Sequence, residues 1–241
     1  EAESADAEDI SKGIDPLRNS LYRYELVNNK FVNPKLLLDL PAIPGPRHNG
    51  GAITIGPDNN LYIPVGDFET ETQNYPDGVE PDGRSGILRI TLEGEPVPNG
   101  GIIGDEFPLN LYYAYGVRNS FGISFDPITG NLWDTENGPG ENDEINLVEP
   151  GFNSGWIQVQ GMSSILNNNE FNPENENGED SASDGLVDFD GKGKYSDPEF
   201  VWSVTLGPTA LIFLHSDKLG QQYQNDIFVG SIVTGNIYHF D

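Results

Sequence analysis

One pattern recurs along the chain and confines it to few folds: an alternating strand, a tight turn, a second alternating strand, then a third after an interval. The first copy reads Ala52-Ile53-Thr54-Ile55-Gly56-Pro57-Asp58-Asn59-Asn60-Leu61-Tyr62-Ile63. The second reads Gly122-Ile123-Ser124-Phe125-Asp126-Pro127-Ile128-Thr129-Gly130-Asn131-Leu132-Trp133. The third is split between Thr209-Ala210-Leu211-Ile212-Phe213 and Asp226-Ile227-Phe228-Val229-Gly230. Period-two apolar runs bounded by Pro-Asp, Asp-Pro and Thr-Gly turns are hairpins of antiparallel sheet. Each is followed by a return strand: Ile87-Leu88-Arg89-Ile90-Thr91-Leu92, Glu144-Ile145-Asn146-Leu147-Val148, and Asn236-Ile237-Tyr238-His239-Phe240. A fourth strand of this kind, Ser20-Leu21-Tyr22-Arg23-Tyr24-Glu25-Leu26, stands near the start without a hairpin before it. Hairpin, loop and return strand together make the sequence shape of a β-propeller blade. The chain therefore reads as all-β, a single β-propeller domain over residues 1–241.

Ile55, Phe125 and Phe213 mark equivalent points of the three copies. They lie farther apart than the roughly 40–50 residues of a compact blade, so long loops separate the strands. Three whole blade signals and the tail of a fourth fall short of the ring of about 4–8 blades that closes a propeller. The expectation is the central three to four blades of a larger ring, incomplete at both ends, or a set of blades that needs a partner to cover its edges. The 29 glycines and 18 prolines suit many short strands joined by turns. Helix signals are weak, with at most a turn over 216–225. Residues 161–194 form a loop insertion rich in Asn, Glu, Asp and Gly. Within it, Asp188-Phe189-Asp190-Gly191 resembles the start of a calcium loop but lacks the third oxygen ligand in register and the terminal Glu.

Charge removes several partner classes. There are 39 acidic and 12 basic residues, for a net charge of −27. Such a surface repels nucleic acid and anionic lipid, and it reads first as a solvated face. No window approaches the roughly 18 apolar residues of a membrane span. Residues 1–9 are acidic and lack the basic-then-apolar order of a signal peptide, so either a leader has been removed or the start of the gene product is missing. Cysteine is absent, which excludes disulfides, thiolate metal sites and cysteine nucleophiles without locating the protein.

Few residues stand out as carriers of chemistry. His48 is one of three histidines and lies in a Pro-Gly-rich approach, Pro44-Gly45-Pro46-Arg47-His48-Asn49-Gly50-Gly51, just before a strand. Asp67 sits at the end of the outgoing strand of the same hairpin, so the two ends lie side by side. A carboxylate on one imidazole nitrogen sets the tautomer and leaves the other nitrogen free as a base; a lone loop histidine is more often simply exposed. Arg118-Asn119 interrupts a neutral aromatic run, Tyr112-Tyr113-Ala114-Tyr115-Gly116-Val117. An arginine there polarises a carbonyl or holds an anion, or else it pairs with one of many carboxylates. Glu136-Asn137-Gly138-Pro139-Gly140-Glu141-Asn142-Asp143-Glu144 is a tight acidic loop. Hard cations take oxygen ligands, including carbonyls exposed by Gly-Pro turns, although such loops are commonly only turns.

Taken together and in this order, these segments resemble the soluble pyrroloquinoline-quinone-dependent sugar dehydrogenases, the glucose/sorbosone dehydrogenase family of six-bladed propellers. The resemblance covers nearly the whole chain and is most specific over 48–67 and 115–156, with 19–40 and 209–241 also similar. It implies His48 as the general base for a sugar hydroxyl and Asp67 as its orienting partner. It implies Arg118 and Asn119 at the reactive quinone carbonyl, and the main-chain carbonyls of Gly138 and Pro139 on a Ca²⁺ that also binds the cofactor. Asp143 would line the pocket, and Trp202 would match an aromatic at the cofactor plane. The implied partners are an aldose and an external electron acceptor, with no nucleic acid and no membrane insertion. The implied location is extracytoplasmic: secreted, periplasmic or at the cell surface.

The chain departs from the family pattern in three places. The family's first blade, with a polar substrate contact, has no counterpart upstream. Its last blades, with the basic residues that grip the cofactor's carboxylates, have none downstream, so the chain by itself is expected to bind the quinone poorly. Arg47 stands where a glucose-active relative has an acidic sugar contact, which puts glucose itself in doubt. Two other classes remain open: a non-catalytic, calcium-binding propeller module, and a calcium-dependent hydrolase of the lactonase type in which Asp67, Asn119 and Asp143 converge on one ion.

Overall fold

A computed structural model of the chain describes residues 18–42, 47–74, 78–163 and 185–241. The acidic start, the Pro44-Gly45-Pro46 approach and most of the 161–194 insertion lie outside the described residues. The described chain is all-β. Its strands are β1 (Arg18–Val27), β2 (Lys30–Pro41), β3 (Thr54–Ile55), β4 (Asn60–Val65), β5 (Gly86–Thr91), β6 (Tyr112–Tyr115), β7 (Ser120–Phe125), β8 (Leu132–Glu136), β9 (Asp143–Val148), β10 (Phe152–Asn153), β11 (Lys194–Tyr195), β12 (Phe200–Trp202), β13 (Pro208–Phe213), β14 (Ile227–Ser231) and β15 (Ile237–Phe240). They form four sheets: β1-β2, then β11-β10-β6-β5-β4-β3, then β12-β9-β8-β7, then β13-β14-β15.

The three hairpins read from alternation are present as β3–β4, β7–β8 and β13–β14, all antiparallel. The three return strands are β5, β9 and β15. The strand over 20–26 falls within β1, and it has a following partner that alternation alone did not reveal. β1 turns at Asn28 and Asn29, with φ of 51° and 58°, and pairs antiparallel with β2. Two successive positive-φ residues match the twist of a hairpin, and Asn tolerates that conformation. The turn expected over 216–225 contains one 3-10 turn, Gln221–Tyr223.

The sheets are stacked with a hydrophobic core between each neighbouring pair. Leu61, Ile63 and Val65 of β4 enter the first core with Leu38 and Leu40 of β2, whereas Tyr62 enters the second with Ile123 and Leu132. Likewise Leu88 and Ile90 face the first core and Ile87 faces the second. Alternation here selects between two cores rather than between core and water, because the sheet is covered on both faces. Truncating one of these fully buried residues to Ala costs about 2–5 kcal/mol. Ile145, Leu211, Phe213 and Val229 make the third core. Gly122 lets the stack close there, because a Cβ on it would lie 2.4 Å from the Thr209 carbonyl oxygen.

The registers bring several loops to one edge. Val65 pairs with Gly86, which pairs with Tyr115, so β4 and β6 end at the same edge on either side of β5. Ser120 pairs with Glu136, and Glu136 with Glu144, so the ends of the third sheet lie together. β10 pairs with β6 in parallel, Asn153 opposite Tyr115, so the chain leaves both strands in the same direction.

Candidate active site

The loop before β3 and the loop after β4 meet through His48 and Asp67. His48 Nδ1 lies 2.5 Å from Asp67 Oδ1, and both residues are buried. Asp67 Oδ1 also accepts the Glu69 N–H at 2.8 Å, and Oδ2 accepts the indole Nε1–H of Trp156 at 2.7 Å. Both oxygens of this carboxylate are thus engaged. His48 holds a left-handed φ of 57°, a conformation that costs a non-glycine residue about 1–2 kcal/mol. The segment is packed closely against Gly66. A Cβ there would lie 2.4 Å from the His48 carbonyl oxygen and 2.7 Å from that of Arg118. Only a glycine lets the His48 and Arg118 segments approach this closely.

Arg118 follows β6 and is half-buried. Its Nη1 donates to the carbonyl oxygens of Asn137 at 2.6 Å and Gly138 at 3.0 Å, and its N–H donates to Glu136 Oε1 at 2.6 Å. Its guanidinium carbon stands 5.2 Å from the centroid of the Trp156 ring. Two buried polar atoms here have no partner, Nε of Arg118 and Oδ1 of the neighbouring Asn119. Adjacent, unpaired donor and acceptor groups at the end of a strand are what a polar ligand would satisfy.

Asp143 is fully buried and engaged with the main chain. Its Oδ1 accepts Gly138 N–H at 2.8 Å, and its Oδ2 accepts Leu206 N–H at 2.6 Å and Gly207 N–H at 2.9 Å. It thereby ties the 136–144 loop to the segment before β13. Trp202 lies opposite Asp143 in the β12–β9 pairing, with its ring against Phe200, Tyr238 and Phe240. Gly138 is half-buried and Pro139 is exposed. The structure thus brings together His48, Asp67, Arg118, Asn119 and Gly138, uses Asp143 as a strut beneath them, and sets the Trp202 ring in an aromatic cluster. The turn at Asp188-Phe189-Asp190-Gly191 is anchored by Phe189, whose ring meets Tyr115 at 4.8 Å between centroids.

Sequence reasoning did not single out Trp156 or Glu136. Glu136 is buried under Arg118, and its second oxygen accepts the Ser154 hydroxyl at 2.6 Å. Burial first, then the neighbouring Glu144 and Asp134, push its carboxyl well above the usual range. The same desolvation raises Glu144 to about 8 and Asp134 to about 6. Alternation over 132–136 and 144–146 put these acids on the same face, which was the available signal. Among the described residues, no group of three or more His, Cys, Asp or Glu side chains is placed to hold a metal ion. An apolar cavity between the first hairpin and the second sheet, lined by Leu21, Leu38, Leu40, Ile63 and Val65 among others, includes none of the site side chains.

The family model described as glucose/sorbosone dehydrogenase matches residues 11–241. Quinoprotein glucose dehydrogenase B of Acinetobacter calcoaceticus is 32% identical over 158 residues, covering 58% of this chain and 32% of that protein. An aldose sugar dehydrogenase of Escherichia coli K12 is 27% identical over 195 residues, covering 80% of this chain and 47% of that protein. The PQQ-bound aldose sugar dehydrogenase of Streptomyces coelicolor has the same fold, with a TM-score of 0.59 and 22% identity, over 92% of this chain and 58% of that one. The chain therefore spans about a third to a half of the length of these curated relatives.

Proposed function

Since the chain belongs to the glucose/sorbosone dehydrogenase family, we propose that the protein carrying it oxidises an aldose sugar with pyrroloquinoline quinone, using His48 as the base. The observation that carries this reading is the buried His48–Asp67 pair at 2.5 Å, set against the segment that supplies Arg118. Asp67 holds the imidazole through Nδ1, so the opposite nitrogen takes the proton from the sugar hydroxyl. The carboxylate then stabilises the imidazolium that forms.

The residues fit the quinone on one observation. The buried Nε of Arg118 has no partner, and a carbonyl-bearing planar cofactor would satisfy that donor. Arg118 and Asn119 would hold it, and when bound it supplies the hydride acceptor. Arg118 contributes a fixed positive charge where negative charge develops, and burial of the surrounding loops keeps that charge effective.

Calcium belongs to the same proposal, with a donor set of main-chain oxygens. The Gly138 carbonyl already accepts one bond from Arg118 and keeps a second lone pair for a hard cation. Asp143 would not add a ligand easily, because both of its oxygens are taken by N–H groups. That engagement also weighs against the hydrolase reading, which needs Asp67, Asn119 and Asp143 on one ion. We further propose an external electron carrier to reoxidise the cofactor, and an extracytoplasmic location. Among the described residues no helix is long and apolar enough to cross a membrane.

The test is dye-linked oxidation of a panel of aldoses by the whole protein with added Ca²⁺ and quinone, beside His48→Ala. Quinone-dependent turnover lost in His48→Ala supports the dehydrogenase. A folded protein that binds the quinone and oxidises none of the sugars removes the reading for those sugars. One that binds no quinone moves it to a non-catalytic module.

A further inference from the structure

We propose that Trp156 is a positioning residue that locks the His48–Asp67 pair and the Arg118 guanidinium into one fixed relation; the inference rests on the function proposed above. The indole uses two different parts for two different tasks. Its edge donates Nε1–H to Asp67 Oδ2 at 2.7 Å, the oxygen that does not face His48. Its face lies under Arg118, 5.2 Å from the guanidinium carbon. Asp67 Oδ1 already serves His48 and the Glu69 N–H. Without the indole donor, Oδ2 would be a buried carboxylate oxygen with its principal anchor gone, and rotation of the carboxylate would carry Oδ1 away from His48.

Trp156 is itself held firmly enough to act as a reference. Its backbone N–H donates to the Gly116 carbonyl at 3.0 Å, continuing the parallel alignment of β10 with β6. Asn153 and Asn74 exchange a pair of amide hydrogen bonds at 2.7 and 3.2 Å, and Asn153 Oδ1 also accepts Gly155 N–H at 2.9 Å. The loop that presents the indole is thus pinned on both the sheet side and the side of the 70s loop. A tryptophan needed only for packing would show neither the donor on the catalytic pair's carboxylate nor the stacked cation.

The two tasks separate by substitution in the whole protein. Trp156→Phe keeps a ring under Arg118 and removes the N–H, so kcat should fall about tenfold or more. Sugar KM and quinone affinity should stay within about twofold. Trp156→Leu removes both contacts, and quinone affinity should then weaken as well. Full kcat in a folded Trp156→Phe would overturn the proposal. A second readout does not depend on turnover. The indole ¹⁵N–¹H resonance of Trp156 is assigned as the one lost in Trp156→Phe. Asp67→Asn should move that resonance and leave the other indole resonances in place. An unmoved resonance overturns the coupling whatever the activity. A moved resonance in a protein without quinone-dependent oxidation supports the coupling and overturns the functional reading instead.

Discussion

His48 and Asp67 lie at the two ends of one hairpin, and their side chains meet at 2.5 Å in a setting where both are buried. The carboxylate is shared, with Nδ1 of His48 on one oxygen and the indole N–H of Trp156 on the other. An amide cannot reproduce this. It has one oxygen, so it must turn its NH₂ toward one of two donors. Asp67→Asn should therefore lower kcat about 100-fold or more per folded molecule, with a modest drop in melting temperature from the one buried donor left facing the NH₂. Steady-state kinetics with quinone in excess, beside a thermal melt, checks both halves.

Gly66 sits where the His48 and Arg118 carbonyls converge, and a methyl group on its Cα would meet their oxygens at 2.4 and 2.7 Å. These are backbone atoms that cannot swing aside. Gly66→Ala should destabilise by about 2 kcal/mol or more and reduce activity beyond the loss of folded protein. Urea denaturation and activity per folded molecule would measure the two effects. A variant as stable and active as the parent would show that the two segments can separate without consequence.

Asp143 accepts three main-chain N–H groups from two loops. Replacing it with Ala strands buried donors, each costing about 1–3 kcal/mol. Asp143→Ala should lower the urea midpoint in the absence of any cofactor. An unchanged midpoint would return Asp143 to the role of a ligand-facing group.

The buried acids of β8 and β9 make stability depend on pH. Burial raises the Glu144 carboxyl from 4.5 to about 8 and the Asp134 carboxyl from 3.8 to about 6. The unfolded chain releases these protons at lower pH than the folded chain does. Stability from this source is full below the unfolded values and falls as pH rises toward the folded ones. The melting temperature should drop by about 5 °C or more between pH 5 and pH 8. Glu144→Gln, neutral at both, should flatten that drop. A slope unaffected by Glu144→Gln would remove Glu144 as its source and leave it to Asp134, Glu136 and the acidic surface.

Some of this architecture was readable residue by residue. The hairpins β3–β4, β7–β8 and β13–β14 followed from alternation and turn residues, because strand periodicity is a local property. The closeness of Asp67 to His48 followed from a hairpin returning to its start. Other features were hidden for identifiable reasons. β2 carries Asn33 and Pro34 within its run, which breaks the apolar rhythm, and its signal was the Asn28-Asn29 turn. β10 and β11 are two residues each, too short for any period. The packing of the Trp202 ring on Tyr238 and Phe240 is set by residues far along the chain, which no local pattern shows.

The sequence by itself determined the all-β class, the hairpin repeat, and the candidates His48, Asp67, Arg118, Asn119 and the 136–144 loop. It did so because strand periodicity and turn chemistry act between residues close in the chain. Tertiary structure alone decided which of those candidates meet and what else joins them. The bond from Trp156 to Asp67 spans 89 positions, and it exists because the parallel pairing of β10 with β6 sends Trp156 out beside Arg118. Asp143 became a strut for the same kind of reason, since Leu206 and Gly207 reach it only once the sheets have stacked. Hydrogen-bond partners of buried carboxylates are set by which backbone groups the stacking leaves nearby, and no local pattern encodes that choice.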